Sequence, residues 1–341
     1  MSKYVLTALL RPVPRPASTS QSPTEDHDSL SVVIITALTA LCADYSFTIV
    51  KESIKPLDTT SLNTPRAIQV LLELGEDADP LAAQSLKTSQ SLRDFEHRFN
   101  IDVAIQPYDA FHTPKRLVVF DMDSTLIQQE VIDEIAAFVG VKDKVAEITE
   151  RAMRGELDFS ASLRSRCALL SGVPATVFET LKHNGTITFT PGAHSLCRAL
   201  KRQNCTLAVL SGGFQPLAEW VKSTLGLDYA FANTLEISPD GSELTGQVLG
   251  DIVNAERKAY LLKHIAEKEG IPLPQTVAVG DGANDLVMMA AAGFGVAFNA
   301  KPKVQIEAPA HVNTTTLQDI LYLFGLTKQE QDSLVGLASM L

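Results

Sequence analysis

One pattern recurs through the second half of the chain: a short, continuous apolar run that ends directly in small polar or acidic residues. The runs are Leu117–Phe120, Thr206–Leu210, Thr276–Gly280 and Phe294–Phe298. Runs of this length, rich in Val, Ala and Phe, are typical of strands that are buried on both faces of a parallel sheet. The pattern predicts an α/β fold with a doubly wound, Rossmann-like parallel sheet, which binds ligands at the carboxyl ends of its strands.

The stretch between the first two of these strands, residues 131–187, is too long for a single crossover helix. It contains helical patterns at Lys142–Arg154 and Ser160–Leu170. We therefore expect a helical cap insertion at about 131–187, within a second domain that spans residues 114–325.

The N-terminal region instead predicts a β-α-β-β-α-β order. The expected strands and helices are Tyr4–Leu10, Ser29–Tyr45, Phe47–Ile54, Ala67–Leu74, a helical stretch within Asp79–Asn100, and Ile101–Gln106. This order is the ferredoxin-like arrangement, and it resembles an ACT-type module. Its first loop, Arg11–Asp28, is long and proline-rich, so amino-acid binding stays open. Residues 1–110 are expected to form a small α+β domain with a regulatory or dimerising role.

Composition excludes several classes of protein. The net charge of −11 disfavours a nucleic-acid or anionic-membrane surface, because such partners need a cationic footprint. No segment approaches the length of a membrane span, so we expect a soluble protein. The N-terminus contains Lys3, Arg11 and Arg15 without an acid and faintly resembles an organelle transit peptide, but we prefer a cytoplasmic location. The 4 cysteines lack zinc-ligand or disulfide spacing, so each is expected to be a buried hydrophobe.

The residues that follow the predicted strands suggest a metal and phosphate site. Asp121 and Asp123 follow the first strand and match the oxygen ligands that Mg²⁺ prefers. Ser211-Gly212-Gly213 follows the second, and Asp281-Gly282-Ala283-Asn284-Asp285 follows the third. A hydroxyl followed by glycines can bring backbone N–H groups to a phosphate. The alternative interpretation of each segment is an ordinary turn or helix cap.

Lys258 is the candidate cation for that phosphate. It lies in the predicted helix Ala255–Lys268, three and four residues before Leu261 and Leu262, and this spacing places it toward the buried side of the helix. A buried lysine needs an anion. Without the other motifs, a solvated surface lysine would be the simpler interpretation.

Taken together, D-M-D-S-T, S-G-G, a lysine and G-D-G-A-N-D, in that order, resemble the haloacid dehalogenase superfamily. Glu130, the run M-R-G-E-L-D-F-S and the segment D-Y-A-F-A-N are similar to the phosphoserine phosphatases of that superfamily. The resemblance covers about Arg116 to Val312. It implies a Mg²⁺-dependent phosphoric monoester hydrolase that acts on phosphoserine through an aspartyl-phosphate, the final step of serine biosynthesis.

The resemblance also implies roles for individual residues. Asp121 is the expected nucleophile and Asp123 the expected general acid and base. The expected Mg²⁺ ligands are the Asp121 side chain, the Asp123 backbone oxygen and Asp281, with Asp285 close by. The residues expected around the phosphate are Ser211, Gly212, Gly213, Lys258 and Asn284.

The cap is expected to select the substrate. Arg166 flanks the apolar stripe of its helix, whereas Arg164 points further away, so Arg166 is placed to hold a carboxylate. By resemblance, Glu130 meets the substrate ammonium, and Met153 and Phe159 form a hydrophobic lid. Phosphothreonine, larger by one methyl group, is hard to exclude by binding alone.

Two other functions stay open at this stage. The aspartyl-phosphate could transfer its phosphoryl group to another alcohol, such as homoserine, rather than to water. Alternatively, the chain could be a silent amino-acid sensor, although the complete set of charged site residues counts against this. A homodimer formed through the N-terminal region is a further expectation.

Overall fold

The computed structural model describes residues 2–12, 27–58 and 65–336, without the side chains of 27–31 and 153. The chain divides into two compact units. The first comprises Met1–Pro114 and Phe298–Leu341, and the second comprises Lys115–Ala297.

The first unit begins with the element order that the sequence predicts. Its elements are β1 (Lys3–Leu10), α1 (His27–Ala43), β2 (Phe47–Pro56), β3 (Ala67–Leu74), α2 (Ala82–Thr88), α3 (Gln90–Phe99), β4 (Ile101–Pro107) and α4 (Tyr108–His112). The strands form an antiparallel sheet in the order β2-β3-β1-β4. This confirms the ferredoxin-like order, while the relation to ACT modules stays a prediction.

Two details of this unit differ from the sequence-based expectation. The helical stretch within Asp79–Asn100 is two helices, because Ser89 is extended and its hydroxyl accepts the Leu92 N–H at 3.0 Å as the cap of α3. Helix α1 begins at His27, two residues earlier than predicted. Most of the predicted Arg11–Asp28 loop lies outside the described residues.

The core of the first unit lies between its sheet and its helices. Leu6 and Leu72 from the strands pack with Leu38 of α1 and Leu86 of α2, and all four are buried. Alternation along β3 directs every second side chain to this core. The fold therefore follows from strand periodicity and amphipathic helices.

The second unit contains the predicted parallel strands and the predicted cap. Its elements are β5 (Leu117–Phe120), α5 (Val131–Phe138), α6 (Lys142–Met153), α7 (Phe159–Ala168), α8 (Val177–His183), α9 (Ala193–Arg202), β6 (Thr206–Phe214), α10 (Gln215–Leu225), β7 (Tyr229–Ile237), β8 (Leu244–Leu249), α11 (Ala255–Lys268), β9 (Thr276–Gly280), α12 (Leu286–Ala291) and β10 (Phe294–Phe298). The strands of this unit lie in the order β10-β9-β5-β6-β7-β8.

The register of the central strands brings their carboxyl ends together. Phe120 at the end of β5 is paired with Val209 of β6 and with Val279 of β9, all in parallel orientation. The residues that follow these strands must therefore meet at one edge of the sheet. This is the topological switch position at which open α/β sheets bind ligands.

The sequence did not predict the β7–β8 hairpin, whose strands pair antiparallel at the end of the sheet. The hairpin also anchors the cap, because the Gly172 N–H donates to Leu244 O at 2.9 Å and the Leu244 N–H donates to Val173 O at 2.8 Å. Gly246 of β8 lies against the end of α7, where an added Cβ would come within 3.1 Å of Ala168 Cα.

The C-terminal segment contributes α13 (Pro302–Glu307), β11 (Ala310–Val312) and α14 (Lys328–Val335). Its residues pack with the first unit: the Asn313 N–H donates to Asp102 at 2.6 Å, and Gln106 donates to Leu323 O at 2.9 Å. The C-terminal segment therefore groups with the first unit, whereas the predicted domain of residues 114–325 included most of it. The hydrogen bonds to β4 account for this difference. The functional domain assignment stays a prediction.

No helix in the described ranges is both long and apolar enough to cross a membrane. The cysteines are free and buried, and burial raises the pKa of the Cys42, Cys167 and Cys197 thiols to about 12. At neutral pH these thiols are therefore protonated and unreactive.

An ion cluster in the first unit predicts a pH-dependent stability. His311 Nε2 lies 3.0 Å from Glu96 Oε1 and 3.5 Å from Asp102 Oδ1, and Arg11 Nε lies 2.7 Å from Asp102. Burial lowers the pKa of His311 and Arg11 adds to that, but Glu96 and Asp102 outweigh both and raise it above 6.5. Protonation is thus favoured in the folded state, and the stabilisation is lost as pH rises through the folded-state pKa.

We therefore expect the free energy of unfolding to fall as pH rises above about 6.5, the ordinary histidine pKa. Substitution His311→Gln should remove this part of the pH profile, whereas His97→Gln, at an exposed position of the same unit, should retain it. Denaturant unfolding across the pH range measures the effect. A wild-type profile that His311→Gln leaves unchanged would contradict the assignment.

Candidate active site

Three carboxylates meet at the carboxyl ends of β5 and β9. Asp121, Asp281 and Asp285 each place an oxygen within 4.8 Å of the others. Asp121 directly follows β5, and its Oδ1 accepts the Met122 N–H at 2.7 Å. Neighbouring parallel strands thus deliver the cluster, which sequence reasoning predicted from their ends.

Lys258 on α11 is the cation that faces this cluster. Its side chain is fully buried, and its Nζ lies 2.8 Å from Asp121 Oδ1 and 2.7 Å from Asp285 Oδ1. Burial lowers the pKa of Lys258, but the two carboxylates more than compensate and raise it above the ordinary lysine value. The lysine is therefore charged at neutral pH and neutralises part of the cluster.

The turn after β9 holds Asp285 in place. Its Oδ2 accepts the Gly282 N–H at 3.0 Å, so both carboxylate oxygens have partners. Gly280 leaves room for this arrangement, because a Cβ there would lie 2.3 Å from Asp285 Oδ2. A glycine at this strand end is thus required by the close approach of the carboxylate.

The cluster carries more negative charge than Lys258 compensates. Burial, reinforced by Asp285, raises the pKa of Asp121 well above its ordinary value although Lys258 opposes the shift. Burial and Asp285 also raise the pKa of Asp281 to about 7. A divalent cation would supply the missing charge, and carboxylate oxygens are ligands that hard cations prefer. The residues therefore fit a divalent metal ion.

Asp123 lies in the turn after β5 with one oxygen engaged. Its Oδ2 accepts the Val131 N–H at 3.0 Å, whereas its buried Oδ1 has no hydrogen-bond partner in the described part of the chain. Burial and the charge of Glu130 raise the pKa of Asp123 to about 8. The turn depends on Ser124, which adopts a left-handed φ of 56°.

Two hydroxyl groups of this turn hydrogen-bond to charged neighbours, and neither was predicted to have a role in the site. The Thr125 hydroxyl donates to Asp281 Oδ1 at 3.1 Å. The Ser124 hydroxyl donates to Glu130 Oε1 at 2.7 Å. Both residues belong to the D-M-D-S-T stretch, so their place beside the aspartates was the available signal.

The Ser211-Gly212-Gly213 segment lies beside Asp123, since a Cβ on Gly213 would be 3.3 Å from Asp123 Oδ1. The segment belongs to strand β6, which continues to Phe214, whereas the predicted strand ended at Leu210. The Gly213 N–H donates to Ser211 Oγ at 2.8 Å. Phe159 of the cap packs over Gly212, where an added Cβ would lie 2.8 Å from the Phe159 ring.

The other residues predicted to contact the substrate lie in the cap and in the turn after β9. Arg166 on α7 is half-buried and its Nε has no hydrogen-bond partner among the described residues, whereas Arg164 is exposed. The Asn284 side chain lies close to Gly282, where an added Cβ would come within 2.2 Å of Asn284 Oδ1. Met153 is the last residue of α6, and the structure does not describe its side chain.

Comparisons with known proteins agree with this geometry. A family model described as haloacid dehalogenase-like hydrolase matches residues 115–293. The chain is 51% identical over 266 residues to the "Probable phosphoserine phosphatase" of Schizosaccharomyces pombe, across 77% of this chain and 89% of that protein.

Solved structures of haloacid dehalogenase-family proteins are also similar to this chain. A haloacid dehalogenase-family hydrolase from Salmonella enterica has a TM-score of 0.71 at 28% identity, across 95% of this chain and 99% of that one. A phospho-aspartyl intermediate analogue of phosphoserine phosphatase has a TM-score of 0.56 at 44% identity, across 61% of this chain and 98% of that one.

Proposed function

The chain belongs to the haloacid dehalogenase-like hydrolases, and from this premise we propose that it is a phosphoserine phosphatase that hydrolyses O-phospho-L-serine to L-serine and phosphate. The observation that carries the proposal is the buried cluster of Asp121, Asp281, Asp285 and Lys258, next to Asp123, whose Oδ1 accepts no hydrogen bond from the described residues. This set can stabilise an anionic phosphoryl group during transfer.

Asp121 acts as the nucleophile in this proposal. Its carboxylate attacks phosphorus, and the resulting aspartyl-phosphate divides one difficult hydrolysis into two displacements. Lys258 holds Asp121 Oδ1 at 2.8 Å and so directs the carboxylate. Asp123 protonates the departing serine oxygen through its free Oδ1 and then takes a proton from the attacking water.

Mg²⁺ is the proposed metal. Asp121, the backbone oxygen of Asp123 and Asp281 would hold it, with Asp285 nearby. When bound, the ion supplies positive charge that reduces repulsion between the carboxylate nucleophile and the phosphate. Thr125 keeps Asp281 oriented through its hydroxyl.

The phosphate is proposed to lie against the loop from Ser211 to Gly213, with Lys258 and Asn284 completing its surroundings. Backbone N–H groups and a hydroxyl suit the acceptor-only oxygens of a phosphate. In the cap, Arg166 would hold the substrate carboxylate, Glu130 its ammonium group, and Phe159 and Met153 would cover it.

Phosphate release from L-phosphoserine tests the proposal directly. We expect release in the presence of Mg²⁺ and its loss on chelation by EDTA, with recovery when Mg²⁺ is restored. Folded protein that releases no phosphate from phosphoserine under these conditions would contradict the function. Product analysis with homoserine present would detect phosphoryl transfer to that alcohol, which is the alternative reaction.

The cap assignment predicts a change in specificity on substitution of Arg166. Because a charge-assisted hydrogen bond to a carboxylate is lost, Arg166→Gln should lower kcat/KM for phosphoserine by about 10- to 100-fold. Phosphoethanolamine lacks the carboxylate, so its kcat/KM should change little. Steady-state kinetics with both esters measures the difference.

Arg164→Gln is the matched control, because Arg164 is exposed on the same helix two residues away. It should leave both substrates unaffected. Equal losses for phosphoserine and phosphoethanolamine in Arg166→Gln would instead indicate a general disturbance of the cap.

A further inference from the structure

Asn233 on β7 is a buried neutral residue that forms hydrogen bonds with two segments, one containing Gly212 and the other leading into the helix of Lys258. Its exposure is 1%. Its Nδ2 donates to the Gly212 carbonyl at 2.8 Å, and its Oδ1 accepts the Val253 N–H at 2.8 Å. One partner is a carbonyl and the other an N–H, so the orientation of the side-chain amide is fixed by its surroundings.

The hydrogen bond from Asn233 to the Gly212 carbonyl fixes the orientation of one peptide group. Gly212 O and Gly213 N belong to the same trans peptide, in which the C=O and N–H point in opposite directions. With the carbonyl held by Asn233, the Gly213 N–H points the other way and donates to Ser211 Oγ at 2.8 Å. Asn233 is therefore connected to Ser211 through one planar peptide group.

This arrangement determines what the Ser211 hydroxyl can do. Because the Gly213 N–H is a donor to Ser211 Oγ, the hydroxyl uses a lone pair there and its own proton is available for another acceptor. A phosphate oxygen is such an acceptor. The peptide orientation thus prepares Ser211 as a hydrogen-bond donor.

The two glycines explain why the peptide needs an external restraint. A side chain would be crowded at both positions, because a Cβ on Gly212 would meet the Phe159 ring at 2.8 Å and a Cβ on Gly213 would lie 3.1 Å from Ser211 Oγ. Two consecutive glycines, however, have the greatest backbone freedom. A hydrogen bond from a buried side chain limits that freedom.

The second hydrogen bond of Asn233 links the same loop to the helix of Lys258. Val253 directly precedes Asn254, whose side chain accepts the Arg257 N–H at 2.9 Å as the N-cap of α11. The Lys258 N–H in turn donates to the Asn254 carbonyl at 2.9 Å. One side chain therefore connects the two elements that are proposed to bind the phosphate.

From these contacts we infer that Asn233 is a positioning residue for the phosphatase reaction: it fixes the Gly212–Gly213 peptide so that the Ser211 hydroxyl donates to the substrate phosphate. The inference rests on the proposed function and adds to it a residue that contacts neither substrate nor metal. Loss of a hydrogen bond to a charged phosphate corresponds to about 10- to 100-fold in rate.

A double-mutant cycle with Ser211 tests this route. Asn233→Asp keeps the acceptor for the Val253 N–H but places a carboxylate oxygen against the Gly212 carbonyl oxygen. It should therefore lower kcat/KM about 10- to 100-fold. In a Ser211→Ala background the same change should cost only about twofold, because the hydroxyl that it positions is already absent. Equal losses in both backgrounds would overturn the inference.

A purely structural role is separated by thermal unfolding and by a matched control. Thr276→Val removes a buried hydroxyl that donates to Leu273 O at 2.8 Å and accepts the Gly293 N–H at 3.1 Å, at the opposite end of the sheet. It should lower Tm without changing the kcat/KM of the folded enzyme. Asn233→Asp activity equal to wild type would overturn the inference.

Affinity for orthophosphate, measured by titration calorimetry with Mg²⁺, separates failure of this inference from failure of the proposed function. If the wild-type protein released no phosphate from phosphoserine, this would contradict the proposed function. Weaker orthophosphate binding by Asn233→Asp, non-additive with Ser211→Ala, would still support the positioning role. Equal binding by wild type and Asn233→Asp would contradict it.

Discussion

Substitution Asp121→Asn is expected to reduce phosphate release from phosphoserine by about 10⁴-fold or more, because an amide cannot replace the carboxylate that is proposed to attack phosphorus. The loss should appear in kcat under saturating Mg²⁺. The fold should be retained, since the substitution removes one negative charge from a buried cluster in which the pKa values of Asp121 and Asp281 are already raised. Steady-state kinetics and thermal unfolding measure the two effects.

Two controls make this result specific. Asp121→Ala should be equally inactive and cannot return to aspartate by deamidation. Asp240→Asn, in the exposed turn between β7 and β8, should retain wild-type activity. Substantial turnover by both Asp121 variants would show that another group attacks the phosphorus.

Detection of the covalent intermediate extends the test. With a labelled phosphate ester, acid-quenched wild-type protein should carry the label on Asp121, and Asp121→Asn should carry none. Asp123→Asn should still accept label from an ester with a good leaving group, since its missing proton transfer matters less there. Label on any other residue would contradict the assigned nucleophile.

The parallel sheet could be predicted from the sequence because its strands are apolar on both faces. The residues of β9 and β10 form uninterrupted runs, and their predicted bounds match the structure. The β7–β8 hairpin was missed because β7 is half-exposed along most of its length and has no continuous apolar run. The end of β6 was missed because Ser-Gly-Gly has the composition of a turn, although its extension pairs Phe214 with Asn233.

Charge was the signal that made the site predictable. Aspartates after buried strands and a lysine at the inner face of a helix require compensation, so Asp121, Asp281 and Lys258 could be singled out. Neutral polar residues give no such signal, and Thr125 and Asn233 were therefore not recognised. Their hydrogen bonds join positions distant in sequence, such as Thr125 with Asp281, and such pairings depend on the fold.

Lys258 is the residue whose removal should affect both stability and catalysis. Its ammonium is fully buried between Asp121 and Asp285, so Lys258→Met leaves two buried carboxylates without their protein cation. Removal of one partner of a buried ion pair costs about 3–5 kcal/mol in the free energy of unfolding. Without Mg²⁺, Lys258→Met should show a loss of this size in denaturant unfolding.

The catalytic loss is expected to persist when Mg²⁺ is present. The metal should restore part of the missing charge and therefore part of the stability, but it should not replace the ammonium that is proposed to direct Asp121 and to neutralise the transferring phosphoryl group. We expect kcat/KM for phosphoserine to fall by about 10³-fold at saturating Mg²⁺. Kinetics and unfolding across a Mg²⁺ titration measure the two quantities on the same protein.

Lys263→Met is the matched control, because Lys263 is exposed on the same helix. It removes an equal charge and should change neither stability nor kcat/KM. If Mg²⁺ restored the activity of Lys258→Met together with its stability, the lysine would only balance charge in the folded protein. Recovery of stability alone would assign Lys258 to the chemical step, since the site would then be intact, metal-loaded and still slow.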